Sequence, residues 1–160
     1  MQLSKRQFLS FCSAGAAVFV LGCGRDATAK PRFAVTYSDA EWKKRLSPAA
    51  YRILRQEDTE RPYSSALNSE KRKGVYVCAG CNTRLFSSAT KFESGTGWPS
   101  FYTFLAGGVG TKTDYKIGLP RTEVHCAQCG GHLGHAFNDG PKPTGKRYCM
   151  NGAAMKFVPG

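Results

Sequence analysis

The residues able to do metal or covalent chemistry fall into three groups. Two are C-x-x-C pairs, Cys78-Ala79-Gly80-Cys81 and Cys126-Ala127-Gln128-Cys129. Together they can place four thiolates around one tetrahedral ion, as zinc prefers. A site filled by four protein ligands leaves no position for water and is structural. Asn82 follows the first pair and Gly130-Gly131 the second, both suited to the tight turn that a knuckle needs. The stretch 82–125 between the pairs is longer than in a minimal zinc ribbon, so a functional insert is expected there. Two disulfides, or a redox-active C-x-x-C, are competing readings of the same cysteines.

The third group surrounds Cys149, in Gly145-Lys146-Arg147-Tyr148-Cys149-Met150-Asn151. Of the seven cysteines, Cys12 and Cys23 fall in an apolar N-terminal segment and four form the pairs, which leaves Cys149 alone. A lone cysteine beside an arginine, with histidines elsewhere in the chain, is a candidate nucleophile. On a strand, Arg147, Cys149 and Asn151 share one face and Tyr148 and Met150 the other. The Arg147 guanidinium would favour a thiolate. A small buried core cysteine is the alternative. His132-Leu133-Gly134-His135 offers two imidazoles that could give and take a proton, or serve as structural histidines. His125, beside Cys126, reads as a strand residue. Trp98, in Gly95-Thr96-Gly97-Trp98-Pro99-Ser100-Phe101, could wall a pocket for a small apolar group or pack in the core.

The elements that must position these residues follow from local pattern. Ser38-Asp39-Ala40-Glu41 fits a capping box that opens a short helix. Ser47-Pro48 restarts helical pattern, with Tyr51, Leu54 and Ala50 facing inward and a loop from Gln56 to Ser65. From Gly74 onward, short β-branched and aromatic runs alternate with glycines. Strands are expected at 75–77, 84–86, 101–104, 121–125, 135–137, 147–150 and 155–158.

The first 22 residues read as an export segment, with Lys5 and Arg6 followed by an apolar run from Phe8 to Leu21. That run is short for a span, which needs roughly 20 apolar residues. Ser4-Lys5-Arg6-Gln7-Phe8-Leu9 resembles a twin-arginine export motif, with lysine in the first basic position. Val20-Leu21-Gly22-Cys23 resembles a lipobox, which would lipidate Cys23 and anchor the protein to a membrane. Cleavage after Ala27-Thr28-Ala29, or an uncleaved anchor, are the alternatives. The organisation expected is an export segment at 1–22, a linker at 23–37 and one domain at 38–160, placed outside the cytoplasm. The formal charge of +12 could serve an acidic partner, but no dense Lys/Arg run marks a nucleic-acid arm, and no nucleic-acid partner is expected. A zinc-ribbon nucleic-acid module and a Cys–His hydrolase are the rival classes. The first is opposed by the export segment, the second by the lack of an oxyanion-hole motif.

Several longer motifs, taken in order, carry a resemblance. They are Tyr51-Arg52-Ile53-Leu54-Arg55, Thr59-Glu60-Arg61-Pro62, Lys91-Phe92-Glu93-Ser94-Gly95-Thr96-Gly97-Trp98-Pro99-Ser100-Phe101, Arg121-Thr122-Glu123-Val124, His132-Leu133-Gly134-His135-Ala136-Phe137-Asn138-Asp139-Gly140-Pro141 and Arg147-Tyr148-Cys149-Met150-Asn151. From about Trp42 to Phe157 the chain resembles a peptide methionine sulfoxide reductase of the B type, which reduces the R epimer. The resemblance implies a mainly β fold of two small antiparallel sheets with short N-terminal helices and a four-cysteine zinc site. It implies Cys149 as nucleophile, Trp98 as the contact to the substrate methyl, and His132, His135, Arg147, Asn151 and Asp139 as polar positions of the site, with His135 the proton donor. It implies structural zinc on Cys78, Cys81, Cys126 and Cys129, and oxidised proteins or peptides as substrate. Many relatives carry a resolving cysteine where this chain has Thr96. The sulfenic acid on Cys149 is therefore expected to be reduced directly by a thioredoxin-like partner, with the enzyme a monomer.

Overall fold

The computed structural model describes residues 33–160. The export segment, the lipidation of Cys23, the cleavage site and Cys12 all lie outside those residues. Among the described residues, no helix is long and apolar enough to cross a membrane.

Among the described residues, two short helices come first. Helix α1 (Asp39–Arg45) is opened by the expected capping box: Ser38 Oγ accepts from the Glu41 amide, and Glu41 Oε2 accepts from the Ser38 amide at 2.8 Å. Acidic Asp39 and Glu41 sit in its first turn and Lys43, Lys44 and Arg45 in its last, each sign matched to the nearer end of the helix dipole. Helix α2 (Pro48–Gln56) starts on the Ser47 cap with proline in its first turn. Its buried face is Ala50, Ile53 and Leu54, an i, i+3, i+4 stripe. Ile53 joins the inward residues, and Tyr51 packs partly buried against the core while its hydroxyl turns to Asp39. The helix also runs through Gln56, so the following loop begins at Glu57, which closes the helix in a left-handed conformation.

Nine strands follow: β1 (Gly74–Cys78), β2 (Arg84–Ser87), β3 (Lys91–Phe92), β4 (Ser100–Phe101), β5 (Val109–Asp114), β6 (Arg121–Cys126), β7 (His132–Phe137), β8 (Arg147–Met150) and β9 (Met155–Pro159). They form two antiparallel sheets, a small one in the order β2-β1-β9 and a larger one in the order β3-β4-β8-β7-β6-β5. The expectation of a mainly β fold with two antiparallel sheets holds, one of three strands and one of six. Strand β4 stops at Phe101 instead of continuing to Phe104, and β7 begins three residues earlier than expected, at His132. Strands β3 and β5 carry no hydrophobic alternation, and β5 (Val-Gly-Thr-Lys-Thr-Asp) is the exposed edge of its sheet.

The core lies where the two sheets and the helices meet. Phe86 stacks on Phe101 with ring centres 4.3 Å apart, and Tyr76 meets Phe101 edge-on at 4.9 Å. Aromatic pairs of this kind contribute about 0.5–1.5 kcal/mol each beyond their burial. Trp42 of α1 and Leu54 of α2 rest against the glycines of the two cysteine turns: a Cβ at Gly80 would meet the Trp42 ring at 3.2 Å, and one at Gly131 would meet Leu54 at 2.8 Å. The helices therefore brace the turns that carry the paired cysteines.

Candidate active site and metal site

The two C-x-x-C turns are built alike. In the first, the Cys78 amide donates to Thr83 O at 2.8 Å and the Asn82 amide to Cys78 O at 2.9 Å. In the second, the Cys126 amide donates to Gly131 O and the Gly130 amide to Cys126 O, both at 2.9 Å. The fourth residue after each leading cysteine, Asn82 or Gly130, has positive φ, a conformation open to asparagine and glycine. These bonds spend the local carbonyls and turn the side chains of both cysteines of a pair to one side. All four sulfurs lie within 4.8 Å of one another, with Cys78–Cys129 at 3.7 Å and Cys81–Cys126 at 3.5 Å. Sulfurs about 2.3 Å from a central ion, at the corners of a tetrahedron, stand roughly 3.8 Å apart. Four convergent thiols at that spacing fit a metal ion. The close contacts also run across the two turns rather than within them.

Cys149 is placed differently. The register of the larger sheet sets Ser100, Cys149, His135, Glu123 and Lys112 in one row across β4, β8, β7, β6 and β5. Directly opposed residues of antiparallel strands share a face, with Cβ atoms about 5 Å apart. Cys149 and His135 are therefore neighbours by register. A cavity of about 160 Å³ opens beside them, lined by Thr59, Trp98, Arg121, Gly134, His135, Phe137, Cys149 and Asn151. Gly134 is needed where β7 meets β8, because a Cβ there would stand 2.1 Å from Cys149 O. Met150, on the other side of β8, is fully buried, and Tyr148 packs edge-on against Phe104, as the alternation requires.

Loop residues after α2 close the cavity from above. Glu60 accepts from the Gly152 and Ala153 amides through its carboxylate, at 2.5 and 2.9 Å. Its carbonyl accepts from Trp98 Nε1 at 3.1 Å, and its amide donates to Asn151 Oδ1 at 3.0 Å. One residue thus holds both the indole and the asparagine. The Asn151 amide nitrogen donates in turn to Leu133 O at 3.0 Å, which ties this loop to β7. A chain of hydroxyls lies on the remaining side. Ser100 Oγ is 2.7 Å from Ser94 Oγ, which is 2.8 Å from Thr96 Oγ1, and that hydroxyl is 3.8 Å from Cys149 Sγ.

The charged groups form two separate sets. His135 Nε2 is 2.8 Å from Asp114 Oδ2, which also accepts from Arg121 Nη2 at 2.6 Å. Asp114 Oδ1 accepts from the Lys116 amide, and these three bonds hold the Asp114 carboxyl well below the usual carboxylate range. Burial pushes the His135 imidazole below its ordinary value of 6.5, against the pull of Asp114. His132 is buried behind the cavity rather than on its wall. Its Nδ1 lies 3.1 Å from Glu123 Oε1 but off the direction of a hydrogen bond, and Glu123 is paired with Lys112 at 3.0 Å. Burial opposes the Glu123 carboxylate, yet His132 and Lys112 hold its pKa below the ordinary value.

Arg147 makes a two-pronged pair with Asp139, at 2.9 and 2.8 Å, and lies over the Phe137 ring. The Asp139 pair raises the Arg147 pKa, and the proximity of Cys149 adds to it. Asp139 itself is 61% exposed and makes its ionic contact with Arg147, away from the cavity.

Of the residues singled out in the sequence, Cys149, Trp98, His135 and Asn151 meet on one cavity, Arg147 stands next to Cys149, and His132 and Asp139 stand one layer back. Glu60, Arg121 and Glu123 belonged to recognised motifs but had been given no role. Asp114 carried no local signal, since its partner is brought to it only by the sheet.

Comparison with known proteins places this geometry in a family. The SelR domain family matches residues 46–159. The peptide methionine sulfoxide reductase MsrB of Leptospira interrogans serogroup Icterohaemorrhagiae serovar Lai is 56% identical over 126 residues, covering 78% of this chain and 96% of that protein. The protein of the same name from Methanosarcina barkeri is 56% identical over 125 residues, covering 78% of this chain and 88% of its own length. Peptide methionine sulfoxide reductase B1, chloroplastic, of Arabidopsis thaliana is 55% identical over 121 residues, covering 75% of this chain and 60% of that protein. With most of the chain matched in this way, the protein belongs to the SelR family of B-type peptide methionine sulfoxide reductases.

Proposed function

We propose that this protein is a peptide-methionine (R)-S-oxide reductase that returns methionine sulfoxide in proteins to methionine, with Cys149 as its nucleophile. The observation that carries this reading is the cavity on which Cys149, Trp98 and His135 converge, in a chain 56% identical over 126 residues to a peptide methionine sulfoxide reductase MsrB.

The Cys149 sulfur attacks the sulfoxide sulfur. The S–O bond of the substrate breaks and oxygen passes to cysteine, so that cysteine sulfur is oxidised by two electrons and the sulfoxide sulfur reduced by two. The thiol proton, taken and returned by His135, ends on the sulfenic acid oxygen, and methionine leaves. Two external thiols then reduce the sulfenic acid to thiol and water and leave as a disulfide. Trp98 offers an indole face to the substrate methyl. Arg147, oriented by Asp139, favours the anionic form of the nucleophile. Asn151 and His132 hold the walls.

Zinc on Cys78, Cys81, Cys126 and Cys129 supplies structural cross-linking and takes no part in the reaction. A thioredoxin-like protein is the proposed reductant, because a hydroxyl, Thr96, stands where many relatives have a resolving thiol. The export segment and the Cys23 lipobox support an extracytoplasmic, membrane-anchored location.

The test offers R- and S-epimer methionine sulfoxide peptides with dithiothreitol to the wild type and to Cys149→Ser. R-specific turnover by the wild type alone is expected. Turnover of the S epimer, or equal rates in the variant, would sink the assignment.

A further inference from the structure

We propose that Asp114, on the edge strand β5, is the positioning residue for His135: it fixes the imidazole with its proton on Nε2 and so leaves Nδ1 as the nitrogen that exchanges a proton with Cys149. The inference rests on the thiol chemistry above and deepens it by naming the group behind the histidine.

The geometry is specific. Asp114 Oδ2 lies 2.8 Å from His135 Nε2, with the histidine side chain 12% exposed and the carboxylate 10% exposed. The same oxygen accepts from Arg121, and the other accepts from the Lys116 amide, so the carboxylate is held from both sides and can only accept. A neutral imidazole facing such an acceptor must carry its proton on Nε2. Nδ1 is then the ring's lone pair. Cys149 is the residue directly opposite on β8, and both line the cavity. When Nδ1 takes the thiol proton, the positive charge forms against an existing carboxylate, as in cysteine and serine triads. That proton then passes from Nδ1 to the sulfoxide oxygen, so no proton is gained or lost over the step.

The companion histidine lacks this arrangement. His132 faces Glu123, but neither of its ring nitrogens makes a hydrogen bond. The groups that bear on His135 are Asp114 and Lys112 of β5, Arg121 and Glu123 of β6, His132 of its own strand, and Arg147 and Cys149 of β8. Of the carboxylates among them, Asp114 is the one hydrogen-bonded to the His135 ring.

The chain has three histidines, so the tautomers can be read directly from nitrogen-15 NMR of the full-length protein, with His135→Gln identifying the signal. The wild type is expected to show a protonated Nε2 and a bare Nδ1 at His135. In Asp114→Asn the amide can donate to the ring, and the tautomer is expected to mix or reverse. There kcat/KM should fall about 100-fold, and the acid limb of its pH profile should move to lower pH, because a group that raises the His135 pKa is gone. Asp114→Glu should recover part of the rate. A wild-type His135 protonated on Nδ1 would overturn the proposal, and so would an Asp114→Asn enzyme with wild-type kcat/KM and an unmoved acid limb. Should the wild type fail to reduce methionine sulfoxide at all, the functional reading falls, while the nitrogen signals still decide for or against the Asp114 contact.

Discussion

The cysteines fall into two sets, one at the closed turn of the β6–β7 hairpin and the other on β8, opposite His135 toward the hairpin's open end, and their surroundings differ. At the closed end, Cys126 and Cys129 meet Cys78 and the partly exposed Cys81 in a cluster whose turns are braced by Trp42 and Leu54. At the open end, Cys149 faces a cavity and is ringed by an imidazole, a guanidinium, an indole and a hydroxyl. Four thiols that face one another make a ligand set. One thiol that faces a small cavity beside an imidazole suits the nucleophile proposed above. The hairpin links the two: the second turn ends at Gly131, and His132 begins the strand that carries His135. A metal held at the closed end would therefore fix the start of the strand that presents His135 at the open end.

The comparison breaks most sharply at Cys149. Replacing it with serine should lower kcat/KM by at least about 10⁴-fold, since a hydroxyl is a far weaker nucleophile at neutral pH. Thermal stability and metal content should stay at wild-type values. Retained stability with lost turnover, measured by calorimetry and a peptide assay, would show that the open end is chemical and not structural. A large loss of stability would show the reverse.

At the closed end the pattern should invert. Cys126→Ser removes one of the four convergent thiols proposed to hold zinc. It should cost about 3–5 kcal/mol of folding free energy and reduce bound zinc below one per chain, because metal binding is coupled to folding. Denaturant melts with elemental analysis check both. Activity should disappear together with the fold, and a variant that kept its stability with no metal would remove the structural role assigned to this end.

Glu60 tests the join between loop and cavity. Glu60→Ala leaves the Gly152 and Ala153 amides without their acceptor and loosens the segment that holds Trp98 and Asn151. Losing two charge-assisted hydrogen bonds should cost about 2–3 kcal/mol. KM should rise more than kcat falls, since the wall is disturbed and the thiol is not. Steady-state kinetics on a short sulfoxide peptide separate the two.

The closed end was the more legible in the sequence. Its ligand spacing, its left-handed Asn82 and Gly130 and its turn chemistry are all local, and local rules reached them. Both helix caps, at Ser38 and Ser47, were legible for the same reason. At the open end, side-chain alternation along β8 put Arg147 and Asn151 with Cys149, and Trp98 and His135 were expected from the family resemblance rather than from any local rule. Its remaining partners come from strand order. The row Ser100–Cys149–His135–Glu123–Lys112 crosses five strands, and Lys112 and Asp114 sit on an edge strand whose exposed, polar sequence has no alternation to detect. Glu60 has no local signal because its bonds go to the Gly152 and Ala153 amides, to the Trp98 indole and to Asn151, all far away in the chain.

The pH dependence of the open end follows from the same burial. The His135 imidazole is held below 6.5 by desolvation, so it remains neutral and able to take a proton as the pH drops through that value. The acid limb of kcat/KM should therefore lie below pH 6.5. A limb above that value would mean that another group controls it.

The smallest effect sharpens the contrast most finely, because each end sets a threonine hydroxyl against a cysteine sulfur. Thr83 Oγ1 is 3.0 Å from Cys81 Sγ, within reach of a hydrogen bond to a metal-bound thiolate, whereas Thr96 Oγ1 is 3.8 Å from Cys149 Sγ and is also held by Ser94. Thr83→Val keeps the shape and removes the donor. It should cost about 1 kcal/mol, read as weaker zinc retention against a chelator. Thr96→Val should change kcat/KM less than about threefold, since a contact of that length to a hydroxyl already occupied contributes little. Equal losses at both positions would mean that the two hydroxyls serve their sulfurs alike, and the division between a ligand set tuned by its neighbours and a nucleophile tuned by charge would not hold.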